Sequence, residues 1–336
     1  MNLPNPEMHD ADIVTFGEAM IRLTPPHFKR LQQTDQFDVE IGGSELNTAV
    51  ALAHLGRKVT WVSRLPDHAI GQLIVNRVRE TGVQTDHILR CEGGRVGIYY
   101  LEQGAAPRPS SILYDRQNSS IAQIQPGMIP WDTIFAQAKW FHVTGITPAI
   151  SKSSFAVTTE ALQKAKDHGL QISMEVNFRS KLWSFQEAGD WLRSHLPLAT
   201  VLITNPDELE SFFGLSKTDL EQSANQLRTQ YHLRAIAITL RDTLSIWKNR
   251  FSAVALDDSG FYTSKKYEVE IVDRLGTGDS FDAGLIHGLL NNSLKQGLDW
   301  GVALAAYKHS IPGDLSWFEP SEIETLIHQE GLRIQR

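Results

Sequence analysis

The sequence predicts an α/β protein in which a mostly parallel β-sheet carries helices on both faces and a small β lid beside it. Three observations lead to this prediction: short apolar segments alternate with longer segments of helical periodicity, glycines and polar residues follow the apolar segments, and two β-like intervals lack helices. The chain has 336 residues, which is enough for one large domain or two small ones. Because no linker, repeat or low-complexity tract interrupts it, we predict a single domain over residues 1–336, with residues 1–10 as a loose terminus.

The predicted strands are short apolar segments bounded by glycine or polar residues. They are rich in β-branched, aromatic and other apolar residues, which is typical of strands buried on both faces of a parallel sheet. In chain order the predicted strands span residues 13–16, 59–63, 140–144, 170–176, 201–204 and 235–239.

The predicted helices are recognised by their apolar faces and their end signals. The first begins with Ser44 as its N-cap, presents Leu46 and Ala49 on one face, and ends at Gly56. Further helices are predicted from Asp67 to about Gly82, from about Ser153 to Gly169, and from Asp279 onward.

Two intervals break the strand–helix alternation. Residues 20–41 and 95–116 contain β-like pieces at 37–41, 97–101 and 112–114 without helices between them. The simplest placement is a small antiparallel lid that projects from the main sheet. A pair of ordinary edge hairpins is the alternative.

Composition and charge exclude several classes of function. The formal charge is -7 and no run of Lys or Arg occurs, which argues against nucleic acid or an anionic membrane as a partner. The single cysteine, Cys91, cannot form an internal disulfide, and no secretory signal or long apolar run is present, so we expect a cytoplasmic protein. The twelve histidines form no HExxH or comparable cluster, which argues against catalytic zinc.

Polar residues and glycines recur directly after the predicted strands. Ligands bind beyond the carboxyl ends of the strands in open parallel sheets, so these residues are expected at one binding edge. Each of them alone is also typical of a turn or a helix cap. The residues are Gly17, Glu18, Gly145, Asn177, Arg179, Asn205, Asp207, Glu208 and Arg241.

A glycine-rich turn leads into the helix that begins near residue 277. The turn contains Gly276, Thr277, Gly278 and Asp279, and the N–H groups of a first helical turn can hold a phosphate-like anion. A carboxylate at such a place suits a base that takes a proton from a hydroxyl as it attacks a phosphoryl group. An ordinary Asp cap is the alternative, and neither a Walker loop nor a dinucleotide fingerprint is present.

Three motifs resemble those of the PfkB (ribokinase-like) carbohydrate kinases, and the resemblance covers nearly the whole chain. The signature D-x-x-G-x-G-D-x-F begins at Asp273 and ends at Phe281. The motif GG-x-x-x-N-x-A begins at Gly42, and the motif N-x-x-E runs from Asn205 to Glu208. The chain departs from the family pattern at Glu175, where Asp is usual.

The resemblance implies a ribokinase-like fold and transfer of the γ-phosphoryl group of ATP to a sugar hydroxyl. It implies Asp279 as the catalytic base, with Gly276, Thr277 and Gly278 in the catalytic turn, and Glu208 as the residue that helps to organise Mg²⁺. Family members often bind a monovalent cation such as K⁺ near this turn. The nucleotide-binding residues that it implies are Asn205, Thr239, Arg241, Gly276, Gly278 and Lys308.

Within the family, several segments resemble 2-keto-3-deoxygluconate kinases more closely than ribokinases or fructokinases. Among them are Gly97-Ile98-Tyr99, Tyr114-Asp115-Arg116 and Asn177-Phe178-Arg179. The resemblance implies that arginines hold the carboxylate of a sugar acid, which suits an acidic protein, since Arg binds carboxylates in a bidentate manner. The implied substrate-binding residues are Gly42, Gly43, Asn47, Tyr99, Tyr114, Arg116, Ile146, Asn177 and Arg179.

Two alternatives stay open at the level of sequence. One is a kinase for a neutral sugar, of the fructokinase or ribokinase type, and the other is a sugar-binding regulator that has lost catalysis. An exposed β lid is also a plausible dimer surface, so we expect a homodimer or higher homo-oligomer formed through the lid.

Overall fold

The computed structural model describes residues 11–328. The terminus predicted over residues 1–10 and the last residues of the predicted domain lie outside the described part. The strands are β1 (Ile13–Phe16), β2 (Met20–Thr24), β3 (Asp38–Gly42), β4 (Val59–Pro66), β5 (Ile88–Cys91), β6 (Gly97–Glu102), β7 (Ser111–Asp115), β8 (Trp140–Thr144), β9 (Gln171–Glu175), β10 (Val201–Thr204), β11 (Ala235–Ser245), β12 (Lys248–Asp257), β13 (Gly260–Thr263) and β14 (Tyr267–Glu270). The helices are α1 (Ser44–His54), α2 (Ala69–Arg79), α3 (Trp131–Phe135), α4 (Ile146–Ala149), α5 (Lys152–Asp167), α6 (Phe185–His195), α7 (Pro206–Phe213), α8 (Leu220–Tyr231), α9 (Thr277–Leu290), α10 (Leu294–Lys308) and α11 (Pro320–His328).

The main sheet confirms the predicted α/β fold. Its order is β13-β12-β11-β10-β9-β8-β1-β4-β5, with β14 also paired to β12. The pairs from β11 through to β5 are all parallel, and this part includes all six predicted strands. The chain enters the sheet at β1, proceeds to β4 and β5 on one side, and then continues from β8 on the other. Strand order therefore reverses beside β1, which is where open α/β sheets bind ligands.

One edge of the main sheet is antiparallel, which the alternation of strands and helices did not predict. β11 extends to Ser245 and folds back directly into β12, which pairs with β13 and β14 as well. Antiparallel strands can be joined by a tight hairpin without a helix between them. The prediction relied on helices between successive strands, so it did not find this edge of the sheet.

Helices cover both faces of the sheet, as predicted. Neighbouring residues of one strand point to opposite faces, so Ile13 packs with the helices α1, α9 and α10, whereas Val14 packs with α3, α5 and α6. The helix α9 approaches α10 closely through glycines: a Cβ atom on Gly284 would overlap the backbone of Gly301. This close packing fixes the position of the α9 N-terminus at the sheet edge.

The lid is a separate four-stranded sheet with the order β3-β2-β6-β7. The pairs β2–β3 and β6–β7 are antiparallel, but β2 and β6 are parallel, so the expectation of a wholly antiparallel lid is wrong. The physical reason is the long connection between the two halves of the lid, in which the chain leaves β3 and passes through α1, β4, α2 and β5 before it reaches β6. A parallel pair of strands requires a long connection of this kind.

Two helix starts differ from the prediction. Ser44 is the first residue of α1 and does not cap it, because Gly43 occupies the N-cap position. The N-cap of α2 is His68, whose side chain accepts a hydrogen bond from the N–H of Ile70, and not Asp67. Between residues 11 and 328, no helix has the length and apolar character needed to span a membrane.

Candidate active site

A cleft lies between the lid and the edge of the main sheet, at the carboxyl ends of β1 and β8. The N-termini of α1 and α9 meet at its floor, and the lid strands β6 and β7 form one wall. The predicted residues that line it are Gly42, Gly43, Asn47, Tyr99, Tyr114, Arg116, Ile146, Arg179, Gly276 and Asp279. Residues from positions far apart in the sequence are thus brought to one cleft.

Asp279 lies in the first turn of α9 with its carboxylate held by two donors from α1. Ser44 Oγ donates to Oδ1 at 2.6 Å, and Asn47 Nδ2 donates to Oδ2 at 2.7 Å. Burial raises the pKa of Asp279 to about 6, although both hydrogen bonds act to lower it. Asp279 is therefore an oriented carboxylate that is ionised at neutral pH and able to accept a proton.

The turn before Asp279 depends on Gly276. Its φ of 80° is left-handed, and a Cβ atom there would overlap the carbonyl oxygen of Asp314. Among residues 11–328, the N–H groups of Thr277, Gly278 and Asp279 have no acceptor. These three donors lie at the start of a 14-residue helix, which is the kind of position at which proteins bind anions.

Three arginines, Arg241, Arg274 and Arg179, lie near this turn. Arg241 donates to Thr277 Oγ1 at 3.3 Å. Burial lowers the pKa of Arg241, and the positive charges of Arg274 and Arg179 lower it further. Several positive charges that lie close together in this way attract a polyanion.

Arg116 and Arg179 both line the cleft but differ in their partners. Arg116 forms an ion pair with Glu18, which also accepts a hydrogen bond from Ser119 at 2.6 Å. Arg179 is exposed and has no carboxylate within ion-pair distance among residues 11–328. The positive charge of Arg179 is therefore free to meet a ligand, whereas that of Arg116 is already balanced in part.

The other predicted residues lie close to the cleft but outside its lining. Asn177 has a left-handed φ of 42° and donates through Nδ2 to Ser44 Oγ at 3.1 Å. Asn205 caps α7 by accepting from the N–H of Glu208, and Thr239 Oγ1 donates to the carbonyl of Thr204. Lys308 is buried behind the Gly276 turn and donates to the carbonyl of Ile311 at 3.0 Å. Contact of these residues with a nucleotide or sugar stays a prediction.

Glu208 is fixed near the carboxyl end of β10. Its carboxylate accepts from the N–H of Phe178 at 3.2 Å and from Thr204 Oγ1 at 3.0 Å. No group of three or more potential ligands for a metal occurs within residues 11–328. Mg²⁺ commonly needs only one or two carboxylates when phosphates supply its other ligands, and Glu208 fits that pattern.

Sequence reasoning did not identify a buried group of charges beside the cleft. Arg22 of β2 forms ion pairs with Asp273 at 2.6 Å and with Asp314 at 2.9 Å. Tyr99 Oη also donates to Asp314 at 2.5 Å. The only feature of the sequence that could have indicated these ion pairs is the presence of a charged residue, Arg22, within a lid strand. The group ties the lid to the turn that precedes Asp279.

Glu45 was also missed. It lines the cleft and accepts hydrogen bonds from the N–H and hydroxyl of Thr144 and from the hydroxyl of Thr147, at 2.8 to 3.0 Å. Burial raises the pKa of Glu45 to about 7. Its position between the glycine pair and Asn47 in the first motif was the available signal.

Comparison with known proteins identifies the family. The model of the family described as pfkB family carbohydrate kinase matches residues 10–315. The chain belongs to the PfkB family of carbohydrate kinases. This PfkB kinase is 32% identical over 327 residues to a 2-dehydro-3-deoxygalactonokinase of Haloferax volcanii, which is 97% of this chain and 99% of the relative.

Two further relatives of this PfkB kinase are informative. The crystal structure of a 2-dehydro-3-deoxygluconokinase from Thermotoga maritima matches with a TM-score of 0.91 and 37% identity, covering 94% of this chain and 99% of that one. A 5-dehydro-2-deoxygluconokinase of Geobacillus thermodenitrificans is 27% identical over 310 residues, which is 90% of this chain and 89% of that one. The protein is therefore a sugar kinase with a ribokinase-like fold.

Proposed function

We propose that this PfkB kinase transfers the γ-phosphoryl group of ATP to the terminal hydroxyl of a six-carbon 2-keto-3-deoxy (2-dehydro-3-deoxy) sugar acid. The observation that carries the proposal is the position of Asp279, which faces the same cleft as the uncompensated positive charge of Arg179. The names of the Haloferax and Thermotoga relatives, both kinases of 2-dehydro-3-deoxy sugar acids, support this class of substrate.

The sugar acid would lie under the lid. Tyr114 is half-exposed on β7 and its ring lies 5.8 Å from the guanidinium carbon of Arg116. Arg179 faces the cleft from the end of β9 and would supply the main positive charge for the carboxylate, with Arg116 adding donors beside it. The far end of the sugar would then reach the floor, where Asp279 lies.

Asp279 would act as the general base. Because Ser44 and Asn47 each occupy one oxygen, the carboxylate is held in a fixed orientation from which it can accept the proton of the terminal hydroxyl. The hydroxyl oxygen forms the new bond to the γ-phosphorus, and the bond from that phosphorus to the bridging oxygen of ADP breaks. The free N–H groups of residues 277–279 would stabilise the negative charge on the transferred group.

The nucleotide phosphates would lie beside Arg241 and the turn. Glu208 is the residue that would hold Mg²⁺, directly or through water, and the ion would supply positive charge to the phosphate oxygens. A monovalent cation such as K⁺ stays a prediction; Asp273 near the turn is already paired with Arg22 at 2.6 Å. We place the enzyme in the cytoplasm, because its reaction consumes ATP.

The free charge of Arg179 favours an acidic substrate over the neutral sugar of the fructokinase or ribokinase alternative. The Geobacillus relative names a second acid, a 5-dehydro-2-deoxy isomer, as the rival within the acid class. The test is analysis of the product by phosphorus NMR after incubation with each sugar and ATP. A phosphomonoester on the terminal carbon of the 2-keto-3-deoxy acid, formed in equal amount to ADP, is expected. ADP without a phosphorylated sugar would argue for a binding protein with residual ATP hydrolysis.

We also propose that the lid forms the contact of a homodimer. Leu113 on the edge strand β7 is 59% exposed, and Val39 on the opposite edge strand β3 is 53% exposed. Exposed strand edges with apolar residues pair readily with another chain. Light scattering after size exclusion should give twice the mass of 37.7 kDa, and Leu113→Lys should reduce it to that of a single chain.

A further inference from the structure

Two carboxyl groups, those of Glu175 and Asp282, lie behind the lining of the cleft and close to the turn that precedes Asp279. Glu175 Oε1, at the end of β9, lies 3.6 Å from the position that a Cβ atom of Gly278 would take. Asp282 is four residues after Gly278 on the same face of α9, so the two carboxyl groups face each other. Asp282 is almost fully buried, and among residues 11–328 neither of its oxygens receives a hydrogen bond from an ordinary donor. A buried carboxylate without a donor is strongly destabilising, so a donor must come from the partner carboxyl group.

The outer sides of the pair are already fixed by neighbouring groups. Asn177 Nδ2 donates to Glu175 Oε2 at 2.6 Å, which leaves Oε1 to face Asp282. On the other side, Trp140 Nε1 donates to Ser173 Oγ at 2.8 Å, so the hydroxyl proton of Ser173 is free to bond His142 Nδ1 at 2.8 Å. This arrangement places the ring proton of neutral His142 on Nε2, which at 3.6 Å from Asp282 Oδ2 is too far away to form a hydrogen bond with it.

A continuous set of hydrogen bonds joins the pair to the base. Asn177 uses its amide donors on Glu175 and on Ser44 Oγ, so the Ser44 hydroxyl must direct its own proton to Asp279. Glu175 Oε1 also lies close to Gly278, since a Cβ atom on that glycine would be 3.6 Å from it. A full negative charge on Glu175 would therefore oppose a phosphoryl group bound at the turn.

We propose that Glu175 and Asp282 hold one proton between them, and that this shared proton makes Glu175 a positioning residue for the Asn177–Ser44–Asp279 hydrogen bonds. The proton supplies the missing donor for Asp282 and limits the pair to a single negative charge. Glu, with its longer side chain than the usual Asp, has the reach to contact Asp282 from the end of β9.

Burial and the neighbouring carboxylates raise the pKa of both groups, and Arg179 opposes this at Glu175. Burial, then the negative charge of Asp279, raise the pKa of Glu175, and Glu208 and Glu45 add to this while Arg179 opposes it. Burial and the charges of Glu175 and Asp279 likewise raise the pKa of Asp282. A raised pKa means that the folded protein retains a proton that the unfolded chain has released, so the stabilising contribution of the pair is complete at acid pH and is lost as the pH rises through the folded-state pKa.

The test uses the amide variants Glu175→Gln and Asp282→Asn, with Glu221→Gln on the exposed face of α8 as the control. Each amide can donate the hydrogen bond that the shared proton donates, so both variants should fold, and Glu175→Gln should keep kcat/KM at pH 7 within about threefold. Between pH 7 and 9, the wild type and Glu221→Gln should lose melting temperature, and Glu175→Gln should lose markedly less. Infrared difference spectra at pH 7, wild type minus Glu175→Gln, should show the band of a protonated carboxyl group.

The inference builds on the proposed base role of Asp279, but the melting and infrared measurements do not depend on that role. Absence of the protonated-carboxyl band from the difference spectrum would overturn the shared proton, as would identical pH dependence of melting in wild type and Glu175→Gln. A kcat/KM for Glu175→Gln as low as that for Glu175→Ala, with both variants folded, would overturn the positioning role. Inactivity of the wild type on every sugar would refute the proposed function and leave the shared proton to be decided by the other two measurements.

Discussion

Ser44 Oγ lies 2.6 Å from Asp279 Oδ1, and this hydrogen bond joins residues that are 235 positions apart in the chain. It unites the two most informative motifs of the sequence, since Ser44 follows the glycine pair at the start of α1 and Asp279 follows the glycine turn at the start of α9. The N-termini of two helices thus converge on one carboxylate. Ser44 is the first residue of α1, after the N-cap Gly43, and its hydroxyl proton is directed to the base.

Asp279→Asn should fold and bind sugar but lose turnover. The amide keeps the size of the carboxylate but cannot accept the proton, and loss of a general base lowers kcat by about 100 to 10,000-fold. Steady-state kinetics and calorimetric titration with the sugar should separate these two properties. A kcat near that of the wild type would show that another group accepts the proton.

The activity should rise with pH through the pKa of Asp279, which burial raises to about 6, because only the ionised carboxylate is a base. Ser44→Ala removes a donor that stabilises the ionised form, so the acid limb of the kcat/KM profile should move to higher pH by about one unit. Profiles of wild type and Ser44→Ala from pH 5 to 8 check this. A shift toward lower pH would contradict the contact.

The same pKa has a consequence for stability. A carboxyl group whose pKa is higher in the folded protein than its model value of 3.8 contributes stability below that value and loses it as the pH rises through about 6. Asp279→Asn should therefore be more stable than the wild type at pH 7 and lose that advantage near pH 4. Thermal melting at pH 7 and pH 4 measures the difference in stability between Asp279→Asn and the wild type. The same difference at both pH values would mean that the pKa of Asp279 is not raised in the folded protein.

Arg179→Ala should weaken the binding of acidic sugars about 10 to 100-fold, since a hydrogen bond to a charged group contributes about 1.5 to 3 kcal/mol. Neutral sugars should be little affected. Arg193→Ala is a suitable control, because Arg193 is an exposed arginine on α6 that pairs with Asp190. Equal losses for acidic and neutral sugars would exclude a role for Arg179 in holding the carboxylate.

Gly276→Ala should reduce both stability and kcat, and Gly82→Ala is its matched control. The two glycines have φ angles of 80° and 83°, so each substitution carries a similar backbone strain of about 1 to 2 kcal/mol. A Cβ atom at Gly82 meets open space, whereas one at Gly276 overlaps the carbonyl of Asp314. Chemical denaturation should therefore show a larger loss for Gly276→Ala, and equal losses would mean that the turn adapts to the added methyl group.

The central sheet could be predicted because its strands carry their signal locally. The segments that became β1, β8 and β10 are apolar runs between polar residues, and their burial on both faces follows from that composition alone. No helix separates β11 from β12, so the alternation of strands and helices does not reveal this hairpin. The parallel pairing of β2 with β6 depends on a connection that runs through the main sheet, so it could not be deduced from a local pattern either.

The candidate site was predictable to the extent that it is built from compact motifs. Asp279, Gly276 and Asn47 are close to other signature residues, and the structure places these three in one cleft. The ion pair of Arg22 with Asp314 joins residues 292 positions apart and depends on the position of the lid beside the turn, which no spacing in the sequence reveals. The pairing of Arg116 with Glu18 was hidden for the same reason, and it leaves Arg179 as the main free charge in the cleft.

The measurement that tests the account most directly is kcat/KM of the wild type, by coupled ADP release, on 2-keto-3-deoxygluconate, its galactonate epimer, 5-keto-2-deoxygluconate and fructose. We expect the highest value for one of the two 2-keto-3-deoxy acids. The value for fructose should be lower by about 100-fold or more, because a neutral sugar would leave the charged donors of the site without a partner. A value for fructose equal to or above those of the acids would contradict this expectation.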